Sequence, residues 1–488
     1  MNRVRSLFLF AGLLGCQPLL AADGQIDLLL KTTGTAVISA PGSYVVVSSV
    51  VKTDSTDGIQ INVSDVTLDM HGQSLRGGTG GTGIKVGSSA SNVRIMNGSI
   101  VGFPNGGVLL SAGGTGGAGH VLSNMQITEN GAYNLDISSN QTTVQVLATM
   151  SSQGDGIHIS GNDVTVDLGG QSVRRIGAAG GTGIMLVGTP SRVRIRNGSV
   201  SNFAIGVDLL GSGHVVSQIQ ASENAASQIN VGSSRTSIEA VGVSLTIANA
   251  ADGIAISADD VTVDLNGQAI RGTGAGAGVG IKVTGTANRA RITDGSVSNF
   301  GGGGILLGSG EGHHVSGMRV MDSGTYGIDV LANKSTIIDS ESHGANGAAG
   351  ANLRIMGSRN QVVRNSLTQT VNGAASVRIQ GAAALSNFLD ANTLGGTGTG
   401  NANLVCAGTT FAVGVSGQLG ALAVNNVFGK EFLLKPFTPL PVVVNCASMS
   451  IPPSHPESCV YGAVTPYGAG AAQGSQDNVC DGTGLMQQ

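Results

Sequence analysis

The segment Asp57-Gly-Ile-Gln-Ile61, followed by Asp65-Val-Thr-Leu-Asp69, decides the fold. It returns as Asp155-Gly-Ile-His-Ile159 with Asp163-Val-Thr-Val-Asp167, and again as Asp252-Gly-Ile-Ala-Ile256 with Asp260-Val-Thr-Val-Asp264. The three copies are spaced 98 and 97 residues apart. Each runs on through an Asn/Asp-Gly-Ser turn at Asn97, Asn197 and Asp294 to Phe103, Phe203 and Phe300. Self-similarity at a fixed spacing is the mark of a repeat architecture.

A shorter period lies inside the long one. Four-residue segments beginning at 58, 83, 107, 134, 156, 183, 206, 228, 253, 280, 304, 327, 352 and 376 follow one another at intervals of 22 to 27 residues. The second and fourth residue of every segment is Ile, Leu or Val, from Ile59/Ile61 to Val377/Ile379. Alternation with period two marks a strand with one buried face. A unit of about 24 residues is too short for a helical crossover between parallel strands, so the chain must wind, each coil pairing with the next. The expectation is an all-β, right-handed, single-stranded parallel β-helix of about fourteen coils over 53–400. Residues 23–52 read as an N-terminal cap and 401–488 as a C-terminal cap or module, since both open ends of such a sheet need covering.

Composition agrees. The chain has 79 Gly, no Trp, 3% aromatic and 11% charged residues, against roughly 25% charged in an average domain. The regular aliphatics exclude disorder, and no apolar run long enough to span a membrane follows the N-terminus. A net charge of −4, with Lys and Arg scattered and no run longer than the pair Arg174-Arg175, excludes a nucleic-acid footprint.

Residues 1–22 read as an export signal: Arg3 and Arg5, an apolar stretch from Leu7 to Leu14, then small residues. Two cleavages compete. Leu13-Leu14-Gly15-Cys16 would leave a lipidated Cys16, whereas Leu20-Ala21-Ala22 would leave Asp23 as the first residue. Cys406, Cys446, Cys459 and Cys480 remain either way, and an even number behind an export signal reads as two disulfides of undetermined pairing. Secreted, periplasmic and outer-membrane locations all fit, and contact with a membrane comes only through the lipid.

The segments Ser39-Ala-Pro-Gly-Ser-Tyr44, Asp57 to Ile61 and Asp65-Val-Thr-Leu-Asp-Met-His-Gly-Gln73 resemble bacterial right-handed β-helix proteins of the pectate-lyase-like, carbohydrate-binding and sugar-hydrolysis superfamily. The resemblance covers roughly residues 30–395. It implies the fold, and a superfamily that holds lyases, hydrolases, epimerases, adhesins and phage spikes.

The third residue of each tetrad points outward, which gives one surface ladder ending in Asp329, Arg354 and Arg378. A second ladder stacks Asp339, Arg364 and Asp390, and His343 follows Asp339. The resemblance implies a site on such strands, in which an Arg acts as base while acidic residues hold Ca²⁺ against an anionic sugar. The catalytic candidates are therefore Arg354 or Arg378 as base or uronate clamp, Asp329 as charge partner and His343 as auxiliary acid, with Ca²⁺ if the chemistry is lyase-like. The plain alternative is an exterior Asp–Arg ladder that satisfies itself. Recurrent His120, His214 and His314, and Asp57, Asp155 and Asp252, read as corner residues. Two functions follow: a protein that binds, and cleaves or epimerises, an acidic extracellular polysaccharide, or a non-catalytic structural or adhesive rod.

Overall fold

The computed structural model describes residues 24–111, 117–244, 251–274, 276–345, 350–369, 374–380 and 387–396, with strand backbone alone at a few short segments outside them. The protein is an all-β parallel solenoid of about fourteen turns. It divides into two compact units, Met1–Gln220 and Ala221–Gln488.

In the first unit the tetrads form one parallel sheet of successive strands: Ala36–Ile38, Ile59–Ile61, Thr82–Val86, Gly106–Leu110, Tyr133–Ile137, Asp155–Ile159, Thr182–Leu186 and Ile205–Leu209. In the second unit the corresponding strands run from Ser227–Val231 to Ala375–Gln380 and Ala402–Ala407. The remainder of each coil pairs in a further parallel sheet. Parallel pairing begins inside 23–52, where Ile26–Leu28 joins Gly42–Val46 and Ala36–Ile38 joins Ile59–Ile61. The segment expected to cap the N-terminal end therefore supplies coils of its own.

The tetrad register is as the alternation requires. Ile59 lies opposite Ile84, Ile254 opposite Ile281, and Leu353 opposite Val377. The inward positions are 0–1% exposed throughout, each buried aliphatic contributing about 1.5–3 kcal/mol. Phe103, Phe203 and Phe300 are buried as well.

Glycine does more than turn corners. A Cβ on Gly183, just before the inward Ile184, would sit 2.2 Å from a Val200 methyl and 2.6 Å from the Gly206 carbonyl oxygen. The coil tucks against its neighbour there, and no other residue fits.

Corners are held by short polar ladders. Asp57, Asp155 and Asp252 each accept the backbone N–H of a residue in the next coil, from Thr82 at 2.8 Å, Thr182 at 2.6 Å and Val279 at 2.8 Å. The histidine ladder needs one correction: the residue equivalent to His120 and His214 is His313, not His314. Register places His314 opposite Thr336 and Val121 opposite Thr143, so the residue before each is the equivalent one. All three imidazoles are buried. Their Nδ1 atoms accept the N–H of Val93, Val193 and Ala290 at 3.2, 3.1 and 3.2 Å.

Cys16, Cys446 and Cys459 lie outside the described residues. Cys406 and Cys480 fall on strand backbone only, Cys406 in register with Ile379.

Candidate functional site

The outward ladder of the second unit runs through Asn230, Ala255, Lys282, Leu306, Asp329, Arg354 and Arg378, each opposite the next. The structure thus brings Asp329, Arg354 and Arg378 together. Arg354 forks Asp329, Nε to Oδ1 at 2.7 Å and Nη2 to Oδ2 at 2.5 Å. A bidentate pair of this kind fixes both orientation and charge. The guanidinium carbon also lies 3.8 Å from the Tyr326 ring centroid, a cation–π distance. Tyr326 opens the strand carrying Asp329, and its ring forms a shelf under the Arg354 guanidinium.

Burial distinguishes the three. Taken as whole residues, Asp329 at 9% and Arg378 at 5% exposure are both buried, and only Arg354 is part-exposed. Arg378 faces outward by register but is covered, which alternation cannot reveal. Burial works against the Arg354 charge, yet the hydrogen bonds and charge of Asp329 outweigh it and keep the guanidinium protonated. Burial lifts the Asp329 carboxyl, with Arg354 opposing the lift. In Arg378, burial and the neighbouring Arg354 charge push the guanidinium down, and Tyr326 opposes them. Of the two roles expected for Arg354, pairing favours the clamp over the base, because a base must first give up the proton that Asp329 holds in place.

His343 stands elsewhere. It ends the strand Glu341–His343 in the other sheet, between Met321 and Thr368. Its Nε2 pairs with Glu341 at 2.5 Å and its Nδ1 with the Thr368 hydroxyl. Among the described residues, none of its hydrogen bonds reaches the Arg354 ladder. The second ladder is also altered by one residue. Arg364 forks Asp339 at 2.8 and 2.8 Å, but Asp390 lies opposite Val363. Ala391, with φ of 54° like the 50° of Asp339 and 55° of Arg364, takes the third place.

Ca²⁺ does not fit the Arg354 shelf. A calcium ion takes six to eight oxygens, usually from several carboxylates, and the one carboxylate of this shelf is committed to a guanidinium. No group of three His, Cys, Asp or Glu side chains among the described residues is placed to hold a metal ion.

Tyr326 escaped the sequence reading, although the signal was present. Tyr326-Gly-Ile-Asp329 repeats Tyr133-Asn-Leu-Asp136, and in both the next coil brings an outward polar residue, Arg354 or His158, opposite the Asp. The middle repeat has Ser227, Asn230 and Ala255 there.

No protein-family model matches the chain, and no curated protein matches it. Solved structures do. A tailspike protein of E. coli bacteriophage HK620 in complex with a pentasaccharide is 10% identical, covering 80% of this chain and 74% of its own, with a TM-score of 0.43. The A-module of a mannuronan C-5 epimerase from Azotobacter vinelandii is 13% identical over 82% and 91%, with a TM-score of 0.36. DFA-IIIase from Arthrobacter chlorophenolicus, in complex with GF2, is 10% identical over 72% and 83%, with a TM-score of 0.32.

Proposed function

We propose that the protein is exported and binds an acidic extracellular polysaccharide on the outward ladder at Arg354. The observation that carries this is the guanidinium of Arg354, held over the Tyr326 ring and forked by Asp329 on a strand face that otherwise presents Leu306, Lys282 and Ala255. Arg378 adds positive charge one coil further on. A preorganised guanidinium beside an aromatic ring suits a sugar carboxylate, which it binds through paired hydrogen bonds at little further cost in side-chain entropy.

Polygalacturonate, alginate and hyaluronate are the probes. Binding should weaken with rising salt, because a partly exposed charge contact is screened over a Debye length of about 8 Å. Arg354→Ala should remove most of it with the fold intact, and Lys85→Ala, on the ladder of the first unit, should change little. The closed Asp329–Arg354 fork equally suits a structural or adhesive rod. Salt-independent binding, or binding indifferent to Arg354, would decide for that second reading.

A further inference from the structure

The equivalent shelf in the first unit carries different chemistry. Register sets Tyr133 beside Asp155 and Asp136 beside His158. His158 Nε2 lies 2.9 Å from Asp155 Oδ2, while Asp155 Oδ1 accepts the Thr182 N–H at 2.6 Å. The carboxylate is thereby fixed at both oxygens and fixes the imidazole in turn. The Tyr133 ring centroid is 5.7 Å from that imidazole, the planes inclined at 40°. The ring occupies space that only glycine leaves: a Cβ on Gly106 would lie 2.3 Å from it. The His158 and Asp155 side chains are 20% and 26% exposed, so the cluster is half-buried but open to a ligand.

We propose that this cluster is a glycan-hydrolysing site, with Asp136 as proton donor to the leaving glycosidic oxygen and His158, positioned by Asp155, as the base for the attacking water. The proposal rests on the reading that the chain binds a polysaccharide and assigns the chemistry to a shelf other than that of Arg354. Water oxygen bonds to the anomeric carbon as the bond from that carbon to the leaving sugar breaks. The leaving oxygen takes the Asp136 proton, His158 takes one from water, and exchange with solvent restores both groups.

The electrostatics divide the two tasks. Burial pushes the Asp136 carboxyl up, with His158 opposing. Burial also lifts Asp155, but the hydrogen bonds of His158 and of the Thr182 N–H, together with the charges of His158 and Arg175, hold it below the usual carboxylate range. Two carboxyls pushed in opposite directions mark an acid and an ionised partner. Burial, with the charges of Asp136 and Asp57, keeps the Tyr133 phenol protonated against the pull of its Thr82 hydrogen bond. With Asp136 protonated and His158 neutral, as their two tasks require, Asp57 and Asp155 still outnumber Arg175 around the cluster. A uronate carboxylate would be repelled there, so the sugar at the cut is uncharged, in a polymer whose acidic units lie at other positions.

The test incubates the full chain with hyaluronate, which alternates uronate with an uncharged sugar, and with polygalacturonate, which is all uronate. Binding, new reducing ends and the ultraviolet absorbance of unsaturated ends are followed together. Reducing ends without that absorbance are expected from hyaluronate, and none from polygalacturonate. Asp136→Asn and His158→Ala should each lower kcat by about 10²-fold or more, with thermal melting unchanged. Asp155→Asn keeps an Oδ1 acceptor for the Thr182 N–H but not the acceptor for His158, so kcat should fall while KM stays. Hyaluronate binding without reducing ends overturns the site and leaves the binding reading in place. Unsaturated ends, cutting of polygalacturonate, or turnover that survives both Asp136→Asn and His158→Ala also overturn it. Absence of binding to either polymer removes the binding reading and this one with it.

Discussion

At the residue scale, one position of the coil shows how a solenoid solves the same local problem with different side chains. His120, His214 and His313 accept a backbone N–H from the preceding coil, and Asn360 and Asn387 do the same for Ser335 and Asn360 at 2.8 and 2.9 Å. The acceptor is obligatory because a buried N–H without a partner costs about 1–3 kcal/mol. Imidazole, unlike amide, titrates. Burial holds His120 down at about 4, and pushes His214 and His313 down against the pull of the Leu210 and Ser309 carbonyls. An unfolded histidine titrates near about 6.5. Between those values the unfolded chain binds protons that the folded chain refuses. Stability is therefore complete above about 6.5 and falls as the pH drops toward 4. His120→Asn should keep the acceptor, as at Asn360, and lower stability at pH 7.5 by about 1–2 kcal/mol for the lost volume. It should also reduce the loss between pH 7.5 and 4.5. Denaturant midpoints at the two pH values check this, and an unchanged difference would contradict the assignment.

At the element scale, the tetrad strand was legible because its signal is redundant: two inward aliphatics recur in coil after coil, and a one-residue slip would expose all of them. Ile254 is 0% exposed between the Ile229 and Ile281 positions, whereas Ala255 stands outward opposite Lys282. Ile254→Asp buries an unpaired carboxylate and should cost several kcal/mol or abolish folding. Ala255→Asp, beside Lys282, should change stability by less than about 1 kcal/mol. Thermal melting of the two variants tests the register, and equal losses would refute it. Corners lacked that redundancy. There the pattern slipped by one residue, choosing His314 over His313 and Asp390 over Ala391, because turn lengths differ from coil to coil and no second aliphatic checks the count. The candidate site was legible only as adjacency. Asp329 beside Arg354 follows from strand register, but the burial of Arg378 and the placement of His343 depend on how turns fold over the sheet, which no spacing encodes. The Tyr133 and Tyr326 shelves follow the pattern Tyr-x-x-Asp, but that spacing alone does not encode which outward side chain of the next coil meets the ring.

At the scale of the whole molecule, the four cysteines that follow the proposed export signal all lie beyond residue 400. The backbone pairing there still follows the ladder for a while: Ala402–Ala407 joins Ala375–Gln380, and Ala421–Val424 joins Asn387–Asp390. A parallel ladder that simply stopped would leave a row of unpaired N–H and C=O groups. Cross-links among Cys406, on the strand Ala402–Ala407, and the three cysteines beyond it would hold a cover over that edge. Two disulfides among Cys406, Cys446, Cys459 and Cys480 should each contribute about 2–4 kcal/mol to the unit they close. Intact mass of the exported chain after thiol alkylation should show no free thiol among the four, with a mature N-terminus at lipidated Cys16 or at Asp23. Reduction should then raise hydrogen exchange from about residue 400 onward and leave the inward tetrads protected. Uniform loss of protection along the coils would mean that the cross-links serve the solenoid itself, and free thiols in the exported chain would remove the staple altogether.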